Sequence, residues 1–231
     1  MPCDDHPLLA SPWRGTLFDF NGVLVDDEHL HLEGFRHVVA RFGIEISDAA
    51  YTDRYLGFDD AGALRAILRD AGLDDGDVRV RDLIEEKARY YMARAPSSLR
   101  VFPAARDVLC RAAEAGPVGV VSGALRAEIE LGLGVIGARD HVAFIVAAED
   151  TARCKPDPEG YVAGLRELAR LGVPPGATWV IEDSVAGVQA ALAADIRCCA
   201  VLGSYPREAL TAAGADRVAP NLGALLAGVA P

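Results

Sequence analysis

The chain has 231 residues and 51% of them are hydrophobic, which is enough for a sizeable core in one large domain or in one domain with a smaller insert. Its formal net charge is −11 at pH 7. An acidic surface repels nucleic-acid phosphates and anionic lipids, so neither nucleic acid nor a membrane is an expected partner, whereas a small anionic substrate needs only a local positive charge.

Cysteine usage and the length of the apolar runs indicate the compartment. The five cysteines are irregularly spaced and include no C-x2-C pair, a pattern typical of reduced thiols. The N-terminus has no apolar run long enough for a signal peptide, and no stretch approaches a membrane helix. We therefore expect a cytoplasmic protein.

The first hundred residues predict one strand followed only by helices. Residues 15–20, GTLFDF, are predicted to form the first strand, and residues 28–100 follow a helical pattern without a good strand. The predicted helices of this stretch are 28–42, 61–70 and 78–95. In the last of them, Lys87 is expected to lie on a charged face.

After Pro103, short apolar strands alternate with helices. The predicted strands are 117–123, 141–148, 178–183, 197–202 and 216–219, and the predicted helices are 104–115, 158–171 and 185–194. Strands that are apolar on both faces and alternate with helices predict an α/β fold with a doubly wound parallel sheet. We expect this core to comprise residues 1–26 and 101–231, with an α-helical cap domain of residues 27–100 inserted after the first strand.

Polar side chains follow several of the predicted strands, at the edge where open parallel sheets bind their ligands. They are Asp19, Asn21, Ser122, Gly123, Lys155, Glu182 and Asp183. A carboxylate can attack phosphorus, two further acids can hold Mg²⁺, and a hydroxyl, backbone N–H groups and a lysine can offset charge on phosphoryl oxygens. The chain has only two lysines, Lys87 and Lys155, and arginine is the common basic residue elsewhere. A lysine at position 155 therefore hints at a role that arginine would not fill. The set predicts a phosphoryl-transfer site.

Each of these segments also has a structural interpretation. Asn21-Gly22 between apolar runs is typical of a hairpin turn, and the hairpin and the site are compatible with each other. Ser122 is suited to cap a helix, and Glu182-Asp183-Ser184 is suited to begin the helix that follows it. Each structural interpretation accounts for its own segment. None explains why all of these polar residues follow strands of one predicted sheet.

Four motifs in order carry a resemblance to a known family. They are DFNGVLVDDEHLH, VVSGA, CKPDPEGY and VIEDSVAGVQAALAAD, and they extend from residue 15 to about residue 195. This order resembles the haloacid dehalogenase-like superfamily, and the helical insert is similar to the cap of its β-phosphoglucomutase and phosphoglycolate phosphatase subgroup. The resemblance implies a Mg²⁺-dependent phosphatase acting on a small phosphorylated metabolite through an aspartyl phosphate.

The resemblance also implies roles for individual residues. Asp19 would be the nucleophile. The implied protein ligands of Mg²⁺ are Asp19, the backbone carbonyl of Asn21, Glu182 and Asp183. The implied phosphate-binding groups are Ser122, Gly123, Lys155 and Gly22. His31, together with Asp26, would lie near the cap hinge or the substrate.

One residue departs from the family pattern. The family's first motif places an aspartate two residues after the nucleophile, where it protonates the leaving alcohol and later activates water, but here this residue is Asn21. The acid could instead come from Asp26, Asp27, Glu28 or His31, or the substrate could have a good leaving group. The alternative is a catalytically impaired protein that binds phosphate esters without turning them over.

Other branches of the family are less favoured. Dehalogenases lack the magnesium acids, and Glu182-Asp183 argues against them. Phosphonate hydrolases need a lysine early in the cap, and residues 28–42 contain none. A β-phosphoglucomutase-like phosphomutase is a further alternative, but the comparable cap loop, residues 56–60, offers acids where an arginine is wanted. The sequence names neither the substrate nor the oligomeric state, which is open between a monomer and a small homo-oligomer.

Overall fold

A computed structural model describes residues 14–174 and 176–226 of the chain. Contacts divide it into two compact units, one from the described parts of Met1–Asp26 and Arg100–Pro231 and the other from Asp27–Leu99. Within the described residues, no helix combines the length and the apolar character that crossing a membrane requires.

Strands and helices alternate through most of the chain. In the described residues, the strands are β1 (Gly15–Phe18), β2 (Val25–Asp26), β3 (Arg100–Val101), β4 (Val118–Val121), β5 (Phe144–Val146), β6 (Thr178–Glu182), β7 (Arg197–Val201) and β8 (Arg217–Ala219). The α-helices are α1 (Glu28–Val39), α2 (Asp48–Arg54), α3 (Asp60–Asp70), α4 (Asp77–Ser98), α5 (Ala105–Ala115), α6 (Arg126–Ile136), α7 (Glu159–Arg170), α8 (Val185–Ala193) and α9 (Arg207–Ala212). Short 3-10 helices lie at Ala40–Phe42, Arg139–His141, Ala148–Asp150 and Leu222–Leu226.

The first unit is built on a parallel sheet whose strand order, over the described residues, is β5-β4-β1-β6-β7-β8. All residues of the central strand β1 are buried. It pairs with β4, where Phe18 lies opposite Val120, and with β6, where Phe18 lies opposite Ile181. Because all neighbours in this sheet are parallel, the residues that follow β1, β4 and β6 meet at one edge. The predicted α/β class is therefore confirmed.

The apolar core of this unit lies between the sheet and its helices. Leu17 of β1, Val180 of β6, Leu168 of α7 and Val188 of α8 belong to one buried cluster. A Cβ at Gly164 of α7 would lie 3.0 Å from Leu17 Cδ1, so the helix packs closely against the central strand. Full burial of each leucine or valine stabilises the fold by about 1.5–3 kcal/mol. This packing holds the strand ends in fixed positions.

All six predicted strands extend beyond the observed ones, and in two of them the cause is clear. The first was expected over residues 15–20 but ends at Phe18, because Asp19 and Phe20 already belong to the turn that follows it. The strand expected over residues 141–148 is confined to Phe144–Val146, because 3-10 helices flank it on both sides. In both cases apolar residues continue beyond the strand and are buried in loops.

The second unit, Asp27–Leu99, is described throughout and consists of helices and the loops that connect them, without a strand. Its core contains Val38 of α1, Leu64 and Leu68 of α3 and Leu83 of α4, which are all buried. The hydroxyl of Ser47 caps α2 by accepting from the Ala50 N–H at 3.1 Å. This unit corresponds to the stretch in which only helices were predicted.

The prediction that Lys87 lies on an exposed charged face is wrong. Its side chain is fully buried, with Nζ 2.6 Å from Asp60 Oδ1, 2.7 Å from His31 Nδ1 and 4.7 Å from the ring centroid of Phe35. The buried residues of α4 are Val80, Leu83, Lys87, Tyr91 and Ala95. Lys87 therefore belongs to the apolar stripe of the helix, and its burial is offset by the carboxylate of Asp60.

Candidate active site

The candidate site is formed where β1, β4 and β6 end. Asp19 directly follows β1, and its N–H donates to Ile181 O at 2.9 Å, which ties the start of the loop to β6. Ser122 directly follows β4, and its N–H donates to Val146 O of β5 at 3.0 Å. Glu182 is the last residue of β6 and Asp183 follows it. The sheet thus brings together side chains that are more than 160 positions apart in the sequence.

Lys155 lies at the centre of this group. Its ammonium donates to Asp19 Oδ1 at 2.8 Å, to Glu182 Oε1 at 2.7 Å and to the backbone oxygen of Val121 at 3.1 Å. A lysine ammonium has three donors, so all of them are in use. The loop after β5 thereby places one positive charge against the carboxylates that follow β1 and end β6.

The carboxylate of Glu182 is fully buried and accepts five hydrogen bonds. Oε1 accepts from Lys155 and, at 2.9 Å, from the Tyr161 hydroxyl. Oε2 accepts from the N–H groups of Asp183 and Ser184 and from the Ser184 hydroxyl, at 2.9–3.0 Å. Ser184 also caps α8, so the capping interpretation and the site coexist.

Tyr161 was not identified from the sequence, although it ends the quoted motif CKPDPEGY. It is buried on α7, and the Lys155 ammonium lies 4.9 Å from its ring centroid. The signal that could have found it is its position six residues after Lys155 on an amphipathic helix. The direction of its hydroxyl depends on how α7 packs, which the motif does not show.

Three carboxylates form a cluster suited to a hard cation. Asp19, Glu182 and Asp183 each offer an oxygen, and these atoms all lie within 4.8 Å of one another. Carboxylate oxygens are the ligands that Mg²⁺ prefers in proteins. The residues present therefore fit the metal that the motifs imply.

Two glycines are required by close approach to these acids. Gly22 has a φ of +78°, and a Cβ there would lie 2.2 Å from Asp183 Oδ2. A Cβ at Gly187 of α8 would lie 1.7 Å from Glu182 Oε1. Gly22 is thus a neighbour of the acidic cluster, and both positions exclude any larger residue without displacement of a carboxylate.

Burial and the central lysine shift the acidities of the site. Burial raises the pKa of Asp19 to about 6, with Lys155 opposing the shift and Glu182 adding to it. Burial also favours a raised pKa for Glu182, but the ammonium of Lys155 outweighs it and the pKa is lowered. Burial alone would lower the pKa of Lys155, and the two carboxylates raise it instead. Near neutral pH the site therefore holds a lysine cation among carboxylates.

Asn21 lies in a tight turn beside Ser122. The Gly22 N–H donates to Val25 O at 2.9 Å, and Asn21 forms an isolated parallel bridge with Val25, so this segment is a tight turn rather than the antiparallel hairpin that Asn-Gly suggests. The Ser122 hydroxyl donates to Asn21 Oδ1 at 3.2 Å. A Cβ at Gly123 would meet nothing within 4 Å, which leaves space beside its backbone. Asn21 of the first motif therefore contacts Ser122 of the second motif directly.

Asp26 and His31 are placed differently from the other predicted site residues. Asp26 belongs to β2 in the first unit, is half-exposed and lies 3.7 Å from a nitrogen of Arg100. His31 belongs to the helical unit, where Nδ1 lies 2.7 Å from Lys87 Nζ and Nε2 lies 3.3 Å from Asp27 Oδ2. Within the described part of the first unit, Asp26 is not among the hydrogen-bond or ion-pair partners of Lys155.

Known proteins are similar to this chain in fold and in overall sequence. A solved structure of CbbY from Rhodobacter sphaeroides, an aspartate-to-asparagine variant in complex with xylulose-(1,5)-bisphosphate, superposes with a TM-score of 0.80 at 28% identity, covering 91% of this chain and 95% of that one. Protein CbbY of Cereibacter sphaeroides is 31% identical over 212 residues, which is 89% of this chain and 90% of the relative. Validoxylamine A 7'-phosphate phosphatase of Streptomyces hygroscopicus subsp. limoneus is 29% identical over 206 residues, which is 87% of this chain and 91% of the relative.

The family model described as haloacid dehalogenase-like hydrolase matches residues 16–201, a range that begins in β1 and ends with β7. All four sequence motifs and the residues around Lys155 lie within it. Relatives at this level of similarity also span nearly the whole chain. The chain therefore belongs to the haloacid dehalogenase-like hydrolases.

Proposed function

We propose that the chain is a Mg²⁺-dependent phosphatase that releases phosphate from a small phosphorylated metabolite through an aspartyl phosphate on Asp19. The observation that carries the proposal is the position of Lys155, whose ammonium bonds both Asp19 and Glu182 at the edge of the sheet. The names of relatives support it, because one is a phosphatase of validoxylamine A 7'-phosphate and another was crystallised with xylulose-(1,5)-bisphosphate.

Each group of the site has a role in this reaction. Asp19 Oδ attacks phosphorus, the bond from phosphorus to the leaving oxygen breaks, and a new bond joins phosphorus to Asp19. Lys155 holds the nucleophile in place and offsets charge on the phosphoryl oxygens. The Ser122 hydroxyl and the Gly123 N–H would bind the same oxygens.

Asp19, the backbone carbonyl of Asn21, Glu182 and Asp183 would hold Mg²⁺, which would supply further positive charge to the phosphoryl group. The close approach of Gly22 to Asp183 supports this assignment, because it brings the turn after β1 against the acidic cluster. His31 and Asp26 are proposed to act at the hinge of the helical unit or on the substrate.

Asn21 limits what the site can do. An amide does not protonate a leaving alcohol or deprotonate water near neutral pH, and loss of a general acid or base costs a factor of roughly 10²–10⁴ in rate. A slow phosphatase is therefore expected where the leaving group needs a proton. The same residue favours the second candidate function, a protein that binds phosphate esters without turnover.

A phosphomutase is less favoured. Residues 56–60, which lead from α2 into the start of α3, contain Asp59 and Asp60 but no arginine for a second phosphate. Asp59 caps α3 by accepting from Gly62 N–H at 2.9 Å, and Asp60 pairs with Lys87. Both acids therefore have structural partners in their own unit.

Release of phosphate from an aryl phosphate, with and without Mg²⁺, tests the proposal. Asp19→Ala serves as the blank, with circular dichroism to show that it remains folded. Turnover that requires both Asp19 and Mg²⁺ supports the phosphatase. Mg²⁺-dependent binding of inorganic phosphate without turnover would instead favour the binder, and transfer of phosphate to a second hydroxyl of a sugar phosphate would favour the mutase.

A further inference from the structure

We infer that this enzyme acts on phosphoryl groups carried by the oxygen of a carboxylic acid, an enol or a phenol, so that the leaving group departs as an anion, rather than on phosphorylated alcohols. The inference rests on the proposed function and specifies its substrate class. It is carried by the chemistry of Asn21 and by the hydrogen bonds that occupy the other polar groups around Asp19.

Asn21 offers a hydrogen bond but no proton to transfer. Its Oδ1 accepts from the Ser122 hydroxyl at 3.2 Å, which directs the amide oxygen toward that residue and the amide nitrogen away from it. An amide N–H donates to an anion and stabilises it without protonating it. The arrangement suits a leaving oxygen that is already stable as an anion.

The hydrogen-bond donors Lys155 and Tyr161 already have acceptors within the site. All three donors of Lys155 are used by Asp19, Glu182 and Val121. The Tyr161 hydroxyl is buried and donates to Glu182. The ammonium of Lys155 and the hydroxyl of Tyr161 are thus held by carboxylate and backbone acceptors, and neither is placed to give a proton to a leaving alkoxide.

The residues that could substitute for the missing acid have hydrogen-bond or ion-pair partners within their own units. Within the helical unit, Asp27 and Glu28 each accept a hydrogen bond from a tyrosine, and His31 Nδ1 lies 2.7 Å from the ammonium of Lys87. In the first unit, Asp26 is half-exposed and faces Arg100. Their hydrogen-bonding capacity serves the structure of their own surroundings.

The first step then proceeds without a proton only for weakly basic leaving groups. Asp19 Oδ bonds to phosphorus, the phosphorus–oxygen bond of the donor breaks, and its electron pair stays on the departing oxygen. A carboxylic acid has a pKa of about 4 and a phenol of about 10, whereas an alkoxide is about as basic as hydroxide, the conjugate base of water with a pKa of about 15.7. Phosphoryl transfer from phosphorylated alcohols to Asp19 is therefore slow.

The second step, hydrolysis of the aspartyl phosphate, also has a leaving group that needs no proton. The aspartyl phosphate is itself an acyl phosphate, so when water attacks phosphorus the Asp19 carboxylate leaves with the electron pair and needs no proton. The water oxygen ends in the product phosphate, which gives up the extra proton to solvent. Because Asn21 is not a base, this step is slow, and the phosphoenzyme is expected to accumulate in a burst.

A leaving-group series tests the inference. Acetyl phosphate, a set of substituted phenyl phosphates and glycerol phosphate are compared at fixed Mg²⁺ with wild-type protein and with Asn21→Asp, and the acid-quenched protein is examined by mass spectrometry for phosphate on Asp19. For wild type we expect kcat/KM to fall steeply as the leaving group becomes more basic. Asn21→Asp should gain roughly 10²-fold or more on glycerol phosphate and little on acetyl phosphate.

Some results would contradict the inference about leaving groups, and another would contradict the proposed phosphatase function. If wild type cleaves glycerol phosphate as fast as acetyl phosphate, or if Asn21→Asp changes every donor by the same factor, the inference about leaving groups is overturned while the phosphatase stands. If wild type forms neither phosphoenzyme nor phosphate with any donor, the proposed function itself fails. Thermal unfolding of both proteins confirms that they are folded at the assay temperature.

Discussion

The hydroxyl of Tyr161 donates a 2.9 Å hydrogen bond to Oε1 of Glu182. This is the oxygen that also accepts from Lys155, and Lys155 in turn bonds Asp19. A buried tyrosine is thereby joined to the nucleophile through one carboxylate and one ammonium. Loss of the Tyr161 hydroxyl would leave Lys155 as the donor to Glu182 Oε1 and would draw the ammonium toward Glu182.

We expect Tyr161→Phe to lower kcat about 10-fold with little change in KM, which corresponds to about 1.4 kcal/mol of transition-state stabilisation. The chain contains only two lysines, so lysine-selective isotope labelling gives two side-chain NMR signals, and that of Lys155 should shift while that of Lys87 should not. Tyr55→Phe, which removes a hydroxyl bonded to Asp70 in the helical unit, is the matched control. An unchanged Lys155 signal and kcat would limit Tyr161 to a role in packing.

Lys155→Arg should reduce kcat by roughly 10² or more although the charge is kept. The compact ammonium reaches three acceptors at 2.7–3.1 Å, and a planar guanidinium on a longer side chain does not fit the same buried position. Arg153→Lys, two residues away on an exposed side chain that pairs with Asp157 and Glu159, is expected to leave kcat unchanged. Steady-state kinetics of both variants decide the point; equal activity of Lys155→Arg and wild type would contradict the role given to Lys155.

Activity should fall as the pH drops through about 6. The pKa of Asp19 is raised to about 6 by burial, and the protonated carboxyl neither attacks phosphorus nor binds a cation. Bound Mg²⁺ stabilises the carboxylate, so the acid limb of kcat/KM should move to lower pH as Mg²⁺ increases. Calorimetric titration should find weaker Mg²⁺ binding at pH 5 than at pH 7, and equal affinity at both would exclude Asp19 as a ligand.

The raised pKa of Asp19 also determines how the stability of the metal-free fold changes with pH. The folded pKa of about 6 lies above the ordinary value of 3.8, so the folded state of the metal-free protein binds this proton more tightly than the unfolded state. The contribution of Asp19 to stability is therefore fully present below pH 3.8 and is lost as the pH rises through about 6. Denaturant unfolding of wild type and Asp19→Asn between pH 4 and 7 should show wild type losing stability relative to the variant as the pH rises.

Gly22→Ala should weaken Mg²⁺ binding and activity together. The residue has a φ of +78°, and the added Cβ would meet Asp183 Oδ2 at 2.2 Å, so the carboxylate must move. Gly172→Ala is the matched control, because its φ is +85° and a Cβ there meets nothing within 4 Å. We expect both variants to lose about 1–3 kcal/mol of stability from the backbone conformation, as judged by thermal unfolding. Only Gly22→Ala should lose affinity for Mg²⁺; the same loss in both variants would mean that the clash with Asp183 is not its cause.

Much of this protein could be predicted before its structure was known. Apolar strands such as PVGVVSG and TWVIED alternate with helices, and because both faces of such strands must be buried, a parallel sheet covered by helices follows. The rule that ligands bind at the carboxyl ends of these strands then identified Asp19, Ser122, Lys155, Glu182 and Asp183 as neighbours, and the structure places them there. The local pattern was sufficient for this prediction, because the end of each strand can be recognised from a short segment and the ends of parallel strands lie at the same edge of the sheet.

Packing between distant segments determined the rest. Lys87 was predicted on a charged face but lies in the buried stripe of α4, where the carboxylate of Asp60 accepts its charge. The bond from Tyr161 to Glu182 depends on how α7 lies against the sheet, and the closeness of Gly22 to Asp183 depends on how the turn after β1 meets the end of β6. Side chains far apart in the chain share no periodicity, so their hydrogen bonds, burial and shifted pKa values arise only once the segments are assembled.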